Sequence, residues 1–184
     1  SKEAAGGKSV VVIEKGEPKS CNIVTSCEGK GKTFIMFSDD LDKALATFVL
    51  ANGAAATGQK VTIFFTFWGL NVIKKLHKPN VEKDIFGKMF GMMLPSSSRK
   101  LKLSKMSMGG IGGKMMRYIM NRKGIDSLES LRQQALENGV EFIACQMSMD
   151  VMGVKQEELL DEVTIGGVAT YMERADNANI NLFI

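Results

Sequence analysis

The sequence predicts an α/β protein: a doubly wound, three-layer α/β/α domain on a five-stranded parallel sheet. Three observations carry this. Apolar runs of strand length recur along the chain, as in strands buried on both faces. Segments of helical periodicity separate them, the pattern of a parallel sheet with crossover helices. Glycines (Gly58, Gly139, Gly166-Gly167) stand where those helices must stop or turn.

In chain order, residues 1–31 differ from the rest. Val10-Val11-Val12-Ile13 reads as a short strand amid Gly6-Gly7, Gly16, Pro18, Gly29 and Gly31. This suggests an extension or linker, the tail of a preceding domain. The first residue is Ser1 rather than Met, as in a processed or excised piece. From residue 32 the alternation begins. Residues 33–38 form a strand, and Asp39-Asp40 offer N-caps for a helix from Leu41 to Thr57. Lys60 to Phe67 is a second buried strand, with a short helix over 70–75 and a right-handed crossover between the two strands. Residues 78–125, rich in Met, Lys, Gly and Ser, interrupt the pattern as an insertion with a helix from Lys114 to Asn121. A helix over 127–137, with Ser127 and Ser130 at its start, then leads into a strand over 140–144. A helix over 155–160, a strand over 163–165, a helix over 168–176 and a strand over 181–184 complete the domain.

The 184 residues suffice for one well-buried domain, and 45% hydrophobic with 24% charged residues is a globular composition. No apolar run approaches the roughly 18 residues of a membrane span. Net charge is +4. The excess lies between Lys74 and Lys123, opposed only by Glu82 and Asp84. Such a stretch is a solvated basic face or a contact for an acidic protein or a membrane surface. Nucleic acid is not expected, since no aromatic residues interleave as stacking platforms. Cys21, Cys27 and Cys145 make an odd count, which argues against a disulfide framework and for a reducing, cytoplasmic setting. With a single histidine, His77, no metal site and no cofactor are expected.

Several motifs invite chemistry. Gly29-Lys30-Gly31-Lys32-Thr33 fails as a phosphate loop, because it precedes a strand instead of joining a strand to a helix. Gly109-Gly110-Ile111-Gly112-Gly113-Lys114 places glycines before a helix, as either an anion-binding turn or a hinge. Cys21 and Cys27 fit no common zinc spacing. The methionines of 89–120 are suited to a partner surface or to ordinary packing. Cys145 is the strongest candidate. It closes the strand Val140–Ala144 and precedes a helix-permissive segment, so it sits at the carboxyl end of a strand, where parallel sheets gather their chemistry. Backbone N–H groups there favour thiolate. Ser38, Asp39, Trp68 and Gly69 end neighbouring strands, and with Gln146 and Met147 they are expected to line the same rim as pocket residues. On position alone, a reactive thiol and a buried core cysteine are equally open readings.

Phe37-Ser38-Asp39-Asp40-Leu41-Asp42-Lys43-Ala44, Phe64-Phe65-Thr66-Phe67-Trp68-Gly69-Leu70 and Cys145-Gln146-Met147-Ser148-Met149-Asp150-Val151-Met152-Gly153 together resemble the DsrE/DsrF-like family. The likeness is closest to its long, DsrE-type sulfurtransferase branch, often labelled a peroxiredoxin family. Gly166-Gly167-Val168-Ala169 fits the same pattern, and the likeness covers roughly 32–184. It implies a five-stranded doubly wound domain that assembles into trimers or larger homo-oligomers. It also implies sulfane sulfur relayed as a persulfide on the cysteine matching Cys145, with a TusA-like or rhodanese-like carrier as donor or acceptor. The alternatives are a non-catalytic binding or assembly module and a thiol peroxidase. The threonine and arginine that a peroxidatic cysteine needs beside it are not reproduced here. The basic, Met-rich insertion is expected to dock an acidic carrier or touch a membrane surface.

Overall fold

The computed structural model describes residues 31–76, 95, 97–105 and 110–184. The expected extension with Cys21 and Cys27, His77, and Met89, Met92, Met93, Met106 and Met108 of the insertion lie outside the described residues.

The elements run β1 (Gly31–Met36), α1 (Leu41–Ala56), β2 (Val61–Phe65), a 3-10 helix (Phe67–Ile73) and a 3-10 turn (Ser98–Lys100). There follow α2 (Ile111–Arg122), α3 (Leu128–Glu137), β3 (Glu141–Cys145), α4 (Gln146–Met152), a 3-10 turn (Gln156–Glu158), β4 (Thr164–Gly166), α5 (Val168–Asp176) and β5 (Ala178–Phe183). The strands form one sheet in the order β4-β3-β2-β1-β5, and every pairing is parallel. This is the α/β sheet the sequence predicts. The chain steps outward from β1 to β4, and α5 then carries it back to β5 on the far side of β1.

Strand parity divides the apolar residues between two faces. On one face Phe34, Met36, Ile63, Phe65, Phe142 and Ala144 meet Leu41, Ala44, Phe48 and Ala51 of α1 and Leu128 and Ala135 of α3, forming the larger core. Phe48, Phe65 and Phe142 pack as a ring trio at centroid distances of 5.4 to 6.5 Å. On the other face the buried cluster is small: Phe64, Ile143, Cys145 and Tyr171. Its helical cover is α5, whose one buried residue is Tyr171. Tyr171 stacks on Phe64 at 5.2 Å, and its hydroxyl lies 3.2 Å from Thr33 Oγ1. Farther down α5, the Arg174 guanidinium donates to both Glu141 oxygens at 2.9 and 3.2 Å, and Thr62 donates to the same carboxylate. The Arg174 hydrogen bond is the main cause holding the Glu141 carboxyl below its usual pKa.

Several boundaries differ from the sequence reading. β1 begins at Gly31 because Gly31 and Lys32 already donate to Asn177 and Lys60, and it ends at Met36 because the Phe37 and Ser38 amides turn to the Ile184 carbonyl. β2 stops at Phe65 because Phe67 adopts φ 47° and starts the 3-10 helix, which replaces the short helix expected over 70–75. Asp40 holds the N-cap position of α1, but its side chain does not cap the helix. The carboxylate instead accepts from Ser38 at 2.7 Å and pairs with Lys43 at 2.8 Å. At α3, Ser127 is the cap, accepting from the Ser130 amide. The Ser130 hydroxyl turns to Asp126. α2 starts at Ile111, so Gly112 and Gly113 lie inside the helix rather than before it. Gly113 is used for contact, since a Cβ there would stand 3.1 Å from the Leu101 carbonyl oxygen. The segment after Lys155 makes only a 3-10 turn, and β5 begins earlier, at Ala178, because it pairs with β1 from Gly31 onward.

Phe48→Ala should cost about 3–5 kcal/mol of stability by urea unfolding, because it opens a cavity among three interlocked rings. Glu141 gives a pH signature. Its folded-state pKa is lowered, so its contribution is fully present above the unfolded glutamate value and is lost as pH falls through the folded value. Unfolding titrations over roughly pH 2 to 5 should show a shallower acid-side loss in Glu141→Gln than in the native protein.

Candidate functional site

The carboxyl ends of the strands gather the candidate residues. β3 ends on Cys145, which also takes the N-cap position of α4 with φ −71° and ψ 114° and makes no side-chain capping bond. Parity puts Cys145 on the face of Ile143, beneath α5. The residue is 1% exposed. Cys145 therefore stands at the strand end but not at the surface: it is buried in one cluster with Phe64, Ile143 and Tyr171. Across the ladder Cys145 pairs with Gly166 of β4. A Cβ on Gly166 would lie 2.8 Å from Ile143 Cγ2 and 3.3 Å from Thr170 Cβ, so glycine here lets α5 begin tight against the sheet beside the thiol.

The next strand end is built by close approach. The Gly69 amide donates to the Phe37 carbonyl at 2.8 Å, and a Cβ on Gly69 would stand 2.0 Å from the Met36 carbonyl oxygen. No larger residue lets the 3-10 helix cross the end of β1 at this distance. Phe67, two residues earlier, takes the left-handed backbone that admits this crossing, at a cost of about 1–2 kcal/mol. Its ring packs on Phe37 at 5.5 Å, and Phe37 packs on Phe183 at 5.7 Å. A buried arginine of α3 fixes the far end of the 3-10 helix: Arg132 donates to the Val72 carbonyl at 2.7 Å and to that of Lys74 at 3.4 Å.

The other expected pocket residues have defined places. Ser38 is half-buried and forms a turn with Asp40. Asp39 accepts from Asn71 at 3.0 Å. Burial pushes its carboxyl above the usual value, and the Asn71 hydrogen bond opposes that. Trp68 and Met147 are exposed at 43% and 54%. Gln146 is exposed and donates to Asp150. Gly69 is buried. The structure thus brings these residues to one end of the sheet. One cleft, of about 720 Å³ and lined by Leu41, Arg99, Arg117, Ser127 and Glu129 among others, includes neither Cys145 nor any of them. Among the described residues no group of three His, Cys, Asp or Glu side chains is placed to hold a metal ion, and no helix is long and apolar enough to cross a membrane.

Sequence reasoning missed the cover. Tyr171 is the one aromatic residue of α5, but only sheet parity brings it into the buried cluster that holds Cys145. It also missed the bridge between Thr66 and Ser148, whose hydroxyls lie 2.8 Å apart and tie the end of β2 to the first turn of α4.

With this geometry in place, comparison with known proteins is decisive. The family model described as DsrE/DsrF/DrsH-like matches residues 29–183. The chain belongs to the DsrE/DsrF/DrsH-like family. It is 44% identical over 155 residues to the uncharacterized protein YrkE of Bacillus subtilis, covering 84% of this chain and 97% of that protein. It is 38% identical over 161 residues to the sulfur carrier protein DsrE2 of Allochromatium vinosum, covering 85% and 99%. The crystal structure of the ychN protein from E. coli shares the fold at a TM-score of 0.50 and 11% identity, over 84% of this chain and 99% of that one.

Gly69→Ala should destabilise the protein by about 2–3 kcal/mol or more, because the obstruction is backbone and cannot rotate away. Thermal unfolding of the purified variant checks this against Gly53→Ala, where a Cβ meets nothing within 4 Å.

Proposed function

We propose that the protein carries sulfane sulfur as a persulfide on Cys145. The observation that supports it most is the position of this thiol at the carboxyl end of β3 and the N-cap of α4, in a chain 38% identical to a sulfur carrier. In the forward step the Cys145 thiolate attacks the outer sulfur of a donor persulfide, R–S–SH. The donor S–S bond breaks, R–S⁻ leaves, and Cys145–S–SH forms. In the return step an acceptor thiolate attacks the same outer sulfur, and Cys145 leaves as thiolate. Each transfer exchanges one S–S bond for another, so no net oxidant or reductant is consumed.

A thiol that is 1% exposed cannot react in the closed state. The reading therefore includes local opening of α5. One side chain of this helix, Tyr171, is buried and meets Thr33; Ala175 is only partly buried, Thr170 lies close to Gly166, and the Arg174–Glu141 pair is partly exposed. Such lightly anchored elements open at far lower cost than a whole domain. Opening also adds room beside Gly166 for a partner cysteine. Donor and acceptor are carrier proteins of the TusA-like or rhodanese-like kind. The chain works as a homotrimer or larger assembly, for which the exposed Ile180, Leu182 and Phe183 of the edge strand β5 supply apolar surface. Its chemistry needs a reducing compartment such as the cytoplasm.

A second reading has one observation in its favour. The burial of Cys145 is what a packing residue of a non-catalytic assembly module would show. The two part on one experiment. The reduced protein is incubated with a persulfide donor, and intact mass with peptide mapping locates added sulfur. The sulfur-carrier reading expects a gain of one sulfur, about 32 Da, on Cys145. The gain should be lost on later addition of an acceptor thiol and absent in Cys145→Ser. A reduced protein that gains nothing on Cys145 sinks this reading in favour of the module.

A further inference from the structure

The outer face of α2 has the composition of a helix that lies on an anionic bilayer. Its inner face is occupied: Gly112, Gly113 and Met120 are buried, Gly113 against Leu101 and Arg117 through bonds to the Ser98 carbonyl and to Glu129. The opposite face carries Ile111, Met115, Tyr118 and Ile119, exposed at 64%, 50%, 64% and 39%. Their spacing of i, i+4, i+7 and i+8 is one stripe of a helix. An apolar stripe of this size directed at solvent marks an interaction surface.

The charge around it selects the occupant. Arg122 continues the stripe and Lys114 and Lys123 flank it, all three exposed. Arg99, Lys100, Lys102 and Lys105 are exposed on the segment against which the inner face of α2 packs. No Asp or Glu occurs anywhere between Asp84 and Asp126. A second copy of this face would oppose cation to cation. An acidic protein would satisfy the charges yet has no general need for four protruding apolar side chains. A bilayer surface rich in anionic phospholipid satisfies both, with the stripe entering the headgroup–acyl boundary and the cations at the phosphates. We propose that α2 is the membrane-surface contact of this protein, specific for anionic lipid.

The geometry leaves the thiol clear. Leu101, beneath α2, belongs to the core shared with α1 and α3, whereas Cys145 lies on the other face of the sheet under α5. A bilayer on α2 would leave α5 free to meet a soluble partner. The proposal goes beyond the sulfur chemistry and stands or falls separately, since Cys145→Ser must bind lipid as the native protein does.

The test is co-sedimentation of the full chain with vesicles of phosphatidylglycerol and phosphatidylcholine, against phosphatidylcholine alone. The native protein should bind the mixed vesicles, not the neutral ones, and release as salt rises. Met115→Glu/Tyr118→Glu and Lys114→Glu/Arg122→Glu should each weaken partitioning by about tenfold or more, with unchanged circular dichroism. Tyr118→Trp should shift its emission to the blue on mixed vesicles only. Failure of the native protein to sediment with mixed vesicles at low salt overturns the proposal. So does binding that the α2 variants leave intact. A Met115→Glu/Tyr118→Glu protein that loses an oligomeric state rather than lipid would assign the stripe to a second copy. Equal binding of soluble poly-glutamate, indifferent to Tyr118, would assign the face to an acidic protein.

Discussion

Side-chain parity along β3 governs the thiol. In the parallel ladder with β2, Phe142 and Ala144 must face α1 and α3, so Ile143 and Cys145 must face away, toward α5. A shift of one residue would move Cys145 into the larger core, under two helices and the aromatic trio of Phe48, Phe65 and Phe142. The native register sets it under one helix held by a single buried tyrosine. The two faces of the sheet therefore differ in how firmly they are closed, and the cysteine lies on the lightly closed one.

The neighbouring strand ends make that position usable. Gly69 allows the 3-10 helix to cross the end of β1 against the Met36 carbonyl, and Phe67 adopts a strained backbone for the same crossing. Local strain of this kind persists only where surrounding contacts over-determine it, and here Arg132 and the Phe37 carbonyl do so. Gly166 does the equivalent on the other side of Cys145, admitting α5 to the sheet without a side chain between. Close packing at both flanks positions the thiol, while the cover itself remains shallow.

Much of this was legible in the sequence. Unbroken apolar runs gave the parallel sheet, because strands buried on both faces need no alternation. Glycine punctuation gave the ends of α1 and α3, and Cys145 was legible as a strand terminus. The Phe-Trp-Gly segment was legible as a motif but not as a mechanism. Its glycine answers to a carbonyl more than thirty residues away in the chain, a contact that no local pattern carries. Burial of Cys145 was hidden for the same reason, since it shares a cluster with Tyr171 and Phe64, brought together by the sheet order. The start of α2 was misplaced because Gly112 and Gly113 weaken helical propensity locally, while their contact with Leu101 compensates in the fold.

Reactivity of Cys145 toward a thiol-alkylating reagent, followed against urea in a Cys21→Ser/Cys27→Ser background, tests the account most directly. Opening of α5 alone exposes little surface, so below the unfolding transition the labelling rate should depend weakly on urea, with a slope well under that of global unfolding. Tyr171→Ala should accelerate it at zero denaturant. Labelling that occurs only with the full urea dependence of global unfolding, unchanged by Tyr171→Ala, would contradict the account and leave Cys145 as core packing.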